Sequence, residues 1–312
     1  MRLRKALYTG LALFSLSGVV LAADPASLRI GYQKGSIALI LAKEHGLLEK
    51  RFPQTTVQWI EFPAGPQMLE AINVNALDVG STGDIPPLFA QAAGADLVYI
   101  GAEPPKPEAE TILVRADSPL KDIADLKGKK VAFQRGSSSH NLILRALNKA
   151  GLNYQDIQPV NLPPANARAA FEQGSVDAWA IWEPYASLAM SQGNVRVLAN
   201  GAGLQLSGPV YTARRDYAQS NRAFIDALLE QLTAAEALTR SERQASLDVV
   251  KKYMGLPDEV IVRYFDNRPA SPILPIDDSI VQAQQTTADL FYQNKLLPKP
   301  IDVSKAVWHK TD

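Results

Sequence analysis

The chain has 312 residues, 46% of them apolar, enough for about two domains of ~150 residues that each bury a core. Lys and Arg number 32, as do Asp and Glu, so the basic excess expected of a nucleic-acid binder is missing. There is no cysteine, which excludes disulfides, Fe–S clusters, thiolate metal sites and cysteine nucleophiles.

Residues 1–22 read as a signal peptide. Met1-Arg2-Leu3-Arg4-Lys5 is basic, Ala6 to Leu21 is largely apolar, and Val20-Leu21-Ala22 places small residues where a leader is cut. Removing it leaves 29 basic against 32 acidic residues, a mildly acidic chain in which no later stretch reaches 18 apolar residues.

Leu28 to Ser36 reads as a strand ending in a glycine turn, and Ile37 to Glu49 carries apolar residues at helical spacing. Pro66 to Asn75 predicts an amphipathic helix leading into the strand Leu77 to Gly80, then a turn, Pro86-Pro87 and a helix to Gly94. The same grammar then repeats. Lys130 to Ser137 is strand and glycine turn, Ser138 to Ala150 is helical and stopped by Gly151, and Asn166 to Gln173 leads into Val176 to Ala180 and Trp182-Glu183-Pro184. Gln33, Gly35 and Ser36 recur as Gln134, Gly136 and Ser137 about 101 residues later, and the second pair of segments recurs at about 99. Each copy is a β-α-β-α unit, which implies two lobes, each a mainly parallel sheet flanked by helices, with a cleft between them. Beyond them, Val210 to Ala213 predicts a return strand and Ala223 to Leu238 a helix presenting Phe224, Leu228, Leu232 and Ala235 on one face. Helices over 242–253, 258–265 and 280–294 are expected to pack on the first lobe.

Ligands of such sheets sit beyond the carboxyl ends of the strands, where the glycine turns lie. Ser81-Thr82-Gly83-Asp84 joins a strand to a helix that Asp84 is placed to cap. Together with Gly136-Ser137-Ser138 from the other copy, it offers backbone N–H groups and hydroxyls to an anion. These donors are neutral, which suits an anion ionised at every relevant pH and makes its capture indifferent to pH. Trp182 is expected to face the cleft and Trp179 the core, while Glu183 caps a helix or meets a polar ligand tail. Neither turn completes Gly-x-x-x-x-Gly-Lys-Ser/Thr or Gly-x-Gly-x-x-Gly, so a nucleotide is not the expected ligand. Ser139 and His140 are sequence neighbours, the wrong arrangement for a nucleophile and its base, and no Gly-x-Ser-x-Gly elbow occurs. Histidines at 45, 140 and 309 have no metal-ligand spacing, and no cofactor is expected.

Five stretches carry a resemblance: Arg29 to Gly35, Glu61 to Ala71, Asp78 to Pro87, Gly136 to Asn141, and Trp179 to Tyr185. In combination, and along essentially the whole length after residue 22, the chain resembles the periplasmic aliphatic-sulfonate-binding proteins that serve ABC importers. The resemblance implies an α/β, two-lobed type II periplasmic-binding-protein fold. Lobe 1 would comprise residues 24–112 and 206–312, and lobe 2 residues 113–205. It implies a periplasmic monomer that closes over an alkanesulfonate for sulfur acquisition and delivers it to a membrane permease and its ATPase. The ligand-binding set would be Gln33, Ser81, Thr82, Gly83, Asp84, Gly136, Ser137, Ser138, Trp182 and Glu183. Receptors for taurine, sulfate esters and other small anions share the fold. The desulfinase and pyrimidine synthase that look similar depend on cysteine, which this chain lacks, so an enzyme is not expected.

Overall fold

The computed structural model describes residues 24–308; the expected signal peptide and His309 lie outside the described residues. β1 (Ser27–Tyr32) opens the first lobe with Leu28 and Ile30 fully buried. It leads into α1 (Ile37–Glu44) and α2 (Leu47–Arg51). The periodicity predicts one helix here, but Gly46 takes φ +60, the left-handed conformation that ends a helix, and the chain restarts after it. β2 (Thr56–Glu61), α3 (Gly65–Asn73), β3 (Val79–Thr82), α4 (Pro86–Ala92) and β4 (Leu97–Ala102) follow.

Residues 103–109 cross to the second lobe. It holds β5 (Glu110–Arg115), β6 (Lys130–Phe133), α5 (Ser138–Lys149), β7 (Gln158–Asn161), α6 (Pro164–Glu172), β8 (Ala178–Trp182), α7 (Tyr185–Ser191) and β9 (Val195–Asn200). Residues 201–209 return to β10 (Val210–Arg214), α8 (Arg215–Ser220), α9 (Arg222–Ser241), α10 (Arg243–Met254), α11 (Asp258–Asp266) and α12 (Asp278–Gln293). The first expected lobe boundary, between 112 and 113, falls inside β5, which pairs in the second sheet from its first residue, Glu110 opposite Trp182.

The two sheets have the same plan, β2-β1-β3-β10-β4 and β7-β6-β8-β5-β9. In each, the first three strands are parallel and the fourth is antiparallel to both neighbours. That fourth strand is the one arriving from the other lobe. β10 and β5 each carry a register shift against their outer neighbour, between Tyr211 and Thr212 and between Ile112 and Leu113, so the duplication extends to the bulge.

β3 and β8 run two residues further than the predicted Leu77–Gly80 and Val176–Ala180. The carboxylates of Asp78 and Asp177 accept the backbone N–H groups of Arg29 and Lys130, both at 2.8 Å, and fasten each strand's entry. Their antiparallel neighbours then continue the pairing to Thr82 and Trp182. Ser81 and Thr82 are therefore strand residues rather than turn residues.

Helices cover both faces of each sheet. On one face of the first sheet Ile37, Leu39 and Leu41 meet the predicted stripe of α9, with Phe224, Leu228, Leu232 and Ala235 at 0–3% exposure. On the other, Met68 and Leu69 of α3 pack with Leu88 of α4 and Phe291 of α12. This second face needs Gly31 and Gly80, which are register partners: a β-carbon on either would sit within 3.0 Å of a side-chain atom of Leu77 or Met68. In the second lobe α5 covers one face with Leu142, Ile143 and Leu147, while Phe171 and Trp179 fill the other. No helix among the described residues is long and apolar enough to cross a membrane.

Candidate functional site

The carboxyl ends of the parallel strands of both sheets point into one partly enclosed cavity of about 100 Å³. Gln33 stands after β1, Ser81 and Thr82 end β3, Gly83 and Asp84 follow, Ser137 and Ser138 open α5, and Trp182 and Glu183 end β8; all of them line this cavity. Gly136 does not. Its φ of +75 turns it towards Phe89 of the opposite lobe, and it lines a separate groove with Phe89, Arg135 and Asn161.

The lobes are in contact. A β-carbon on Gly83 would lie 3.0 Å from Ser138 Cβ, so the two duplicated turns face each other across one residue's thickness. The N–H groups of Ser138 and Ser139, first in α5, have no partner among the described residues. Other hydroxyls are engaged: Thr82 Oγ1 donates to the Gly83 carbonyl at 2.9 Å and Ser137 Oγ to the Gln134 carbonyl at 2.7 Å. The side chain of Gln33 donates to the Ser81 carbonyl at 3.2 Å and holds that strand end.

Asp84 does not cap α4. Ile85 occupies the cap position, and the Asp84 carboxylate instead accepts from Asn141 Nδ2 across the lobe boundary at 2.6 Å. Asn141 Oδ1 in turn accepts from Arg145 Nε at 2.9 Å, and Arg145 Nη2 donates to Thr287 Oγ1 at 2.8 Å, back in the first lobe. Burial pushes the Asp84 carboxyl up to about 7, against the Asn141 hydrogen bond and the Arg145 charge.

Glu183 takes the capping alternative. Its carboxylate accepts from the Ser187 N–H at 3.0 Å, from Ser187 Oγ at 2.8 Å and from Asn267 Nδ2 at 2.8 Å. Burial raises its affinity for a proton, and these hydrogen bonds oppose the shift. Trp182 is half-buried with one side on the cavity and its ring edge-on to Tyr185, whereas Trp179 is fully buried against Phe171.

The cavity also has charged walls that sequence reasoning missed. Lys106 pairs with Glu103 in the crossing segment, and Arg268 donates to Glu236 Oε2 of α9 at 2.9 Å. Burial lowers the proton affinity of Lys106, against the attraction of Glu103. Glu110, the first residue of β5, lines the cavity as well. Burial pushes its carboxyl up to about 8. Beside the neutral donors expected from the sequence, the crossing segments and the loop after α11 thus bring charge to the cavity that no motif announces. The Pro- and charge-rich run Glu103 to Glu108 between two apolar strands is the signal that could have found Lys106.

His140 is fully buried and outside the cavity. Its Nδ1 accepts from the Gly136 N–H at 3.2 Å, its ring stacks on Phe133, and burial pushes it down to about 3, so it is neutral. No group of His, Asp and Glu among the described residues could hold a metal ion.

The family described as NMT1/THI5 like matches residues 35–242. A protein of Escherichia coli (strain K12) that carries the name aliphatic sulfonates-binding protein is 59% identical over 302 residues, 97% of this chain and 95% of its own. The structure of the alkanesulfonate-binding protein SsuA from Xanthomonas axonopodis pv. citri, bound to MOPS, superposes with a TM-score of 0.91 at 53% identity, covering 92% of this chain and 99% of that one. The periplasmic aliphatic sulphonate binding protein SsuA from Escherichia coli superposes with a TM-score of 0.86 at 60% identity, covering 93% and 94%.

Proposed function

The chain belongs to the NMT1/THI5-like family, and from that premise we propose that it is a periplasmic binding protein that captures aliphatic sulfonates for an ABC importer. It is a binding protein and not an enzyme, as its near relatives are. One observation carries the ligand class: the unpartnered Ser138 N–H at the start of α5 and the Gly83 turn close on the same small cavity from opposite lobes. A helix N-terminus facing a second turn suits a compact anionic head, and Trp182 supplies an apolar wall for an alkyl tail. Ser137 and Ser138, with Gln33, Ser81, Thr82 and Gly83, form the head-group side of this reading. Glu183, the carboxylate that the sequence offered to a polar ligand tail, is already occupied by Ser187 and Asn267. The chain would act as a monomer and hand its ligand to a permease driven by an ATPase.

Thermal-shift measurements against C1 to C8 alkanesulfonates, taurine, sulfate and nitrate test this. A ligand at 100 times its dissociation constant adds roughly 2.7 kcal/mol, which raises the melting temperature by several degrees. Alkanesulfonates are expected to give the largest rise; a larger response to nitrate, sulfate or taurine would overturn the assignment.

A further inference from the structure

Glu110 is a cavity-lining carboxyl with no ion pair among the described residues, supported only by the Ser138 hydroxyl and the more distant Lys106 charge. It stands where the chain enters the second lobe, its side chain lines the cavity, and its Oε2 has neither exposed surface nor a hydrogen-bond partner. No Lys or Arg forms an ion pair with it among the described residues, because Lys106 is taken by Glu103 and Arg268 by Glu236. The groups that face it are the Ser138 hydroxyl on α5, Asp84 after β3, Glu183 after β8, and the already paired Lys106. Asp84 has Asn141, and Glu183 has Ser187 and Asn267. An ionised Glu110 would put an uncompensated negative charge beside the position of an incoming anion.

Resting on the sulfonate reading above, we infer that Glu110 binds the ligand as a neutral carboxylic acid, its O–H donating to a sulfonate oxygen, and that capture therefore requires this proton. A carboxyl kept neutral by an apolar or acidic setting becomes a hydrogen-bond donor, a role no carboxylate can play. Burial, reinforced by Asp84 and Glu183 and opposed by the Ser138 hydrogen bond and the Lys106 charge, pushes Glu110 up to about 8, so the proton is present at neutral pH and lost above it. The balance is simple: ionised protein takes one proton from solvent as the anion enters, and nothing else changes hands.

Calorimetric titration of the protein with ethanesulfonate, in buffers of different ionisation enthalpy, tests this. Affinity should fall roughly fifteenfold from pH 8 to 9.5, and binding at pH 8.5 should take up about three quarters of a proton. Glu110→Gln keeps a donor without a titrating group, so its affinity should vary less than about twofold over that range, with no proton uptake by this site. Asp84→Asn should retain the fall. A flat wild-type profile with no proton uptake would overturn the inference and leave the sulfonate reading standing, as would a fall that persists in Glu110→Gln. Should Glu110→Gln not fold, the wild-type proton count decides alone. Failure of ethanesulfonate to bind at any pH would overturn both readings.

Discussion

Gly83 packs closely against Ser138 of the opposite lobe. Its backbone is not left-handed, so alanine fits the conformation, but the added methyl would press on Ser138 at 3.0 Å and hold the lobes apart. Overpacking of this kind costs about 1–3 kcal/mol, and here it falls on closure rather than on either lobe's core. Gly83→Ala should weaken ethanesulfonate by roughly five- to 150-fold in calorimetry while leaving the ligand-free melting temperature within a degree or two. Trp182→Ala should act differently. The indole borders the cavity without closing it, so its loss should flatten the gain per methylene, ~0.8 kcal/mol when burial is complete, between ethane- and pentanesulfonate. A uniform loss along the series would place Trp182 at the head group. Both residues were legible in the sequence, because a strand, a glycine turn and a helix start leave a local pattern. Glu110, Lys106 and Arg268 were not. Lys106 and Arg268 lie in crossing and tail segments with no period, Glu110 opens a strand at the end of the first crossing, and only the topology brings them to the cavity. Gly136 was legible as a turn, yet its left-handed geometry aims it at Phe89, which no pattern in the sequence reveals.

At the scale of elements, Asp78 and Asp177 hold equivalent strand entries under unequal loads. Asp177 takes the Lys130 N–H from a half-exposed position. Asp78 takes the Arg29 N–H, both Nε and Nη2 of Arg29, and Nη1 of Arg214 from β10, with a side chain only 3% exposed. Removing one partner of a buried, paired charge costs about 3–5 kcal/mol, whereas removing a single partly exposed hydrogen bond costs about 0.5–1.5 kcal/mol. Urea denaturation should therefore show Asp78→Ala losing at least twice the stability that Asp177→Ala loses; equal losses would refute the assignment of this load. The aspartates also show why element boundaries were harder to read than elements. Apolar Leu77 and Val176 look like strand starts, but backbone pairing begins at the aspartate that anchors each entry, and the strand proper follows it. β2 and β7 were missed because an edge strand such as Gln158–Asn161 buries too little to alternate cleanly. β5 was missed because it belongs to the lobe it enters, not to the unit it follows in sequence. The amphipathic helices α9 to α12 were legible, since a one-sided apolar stripe depends only on the helix itself.

At the scale of the whole molecule, the lobes are joined by two crossing segments bonded side by side, Glu103 N–H to the Pro209 carbonyl at 2.8 Å and Gly201 N–H to the Pro107 carbonyl at 2.9 Å. A β-carbon on Gly208 would strike the Glu103 carbonyl at 1.8 Å, so only glycine allows the two to lie this close. Opposite this hinge, the closed state is latched by Asn141 on Asp84 and by Arg145 on Thr287, with Leu144 of α5 seated in the first lobe's core. Opening would return Asp84 to water, where a carboxyl releases its proton near 4. In the closed form it holds that proton up to about 7. Between those values the closed form binds more protons than the open one, so closure is favoured most at the acid end and loses ground as pH rises through 7. The difference in proton affinity is about a thousandfold, which bounds the shift in the ratio of open to closed molecules. Small-angle scattering of the ligand-free protein should accordingly show a larger radius of gyration at pH 8 than at pH 5. Asp84→Asn retains an acceptor for Asn141 and removes this titration, so its expansion between the two pH values should be smaller than the wild type's, the remainder belonging to Glu110, which burial in the same cavity also holds protonated up to about 8. Expansion of equal size in the variant would mean that the latch is worked by another group, and saturating ethanesulfonate at pH 7.5 should restore the compact form in the wild type because it binds both lobes at once.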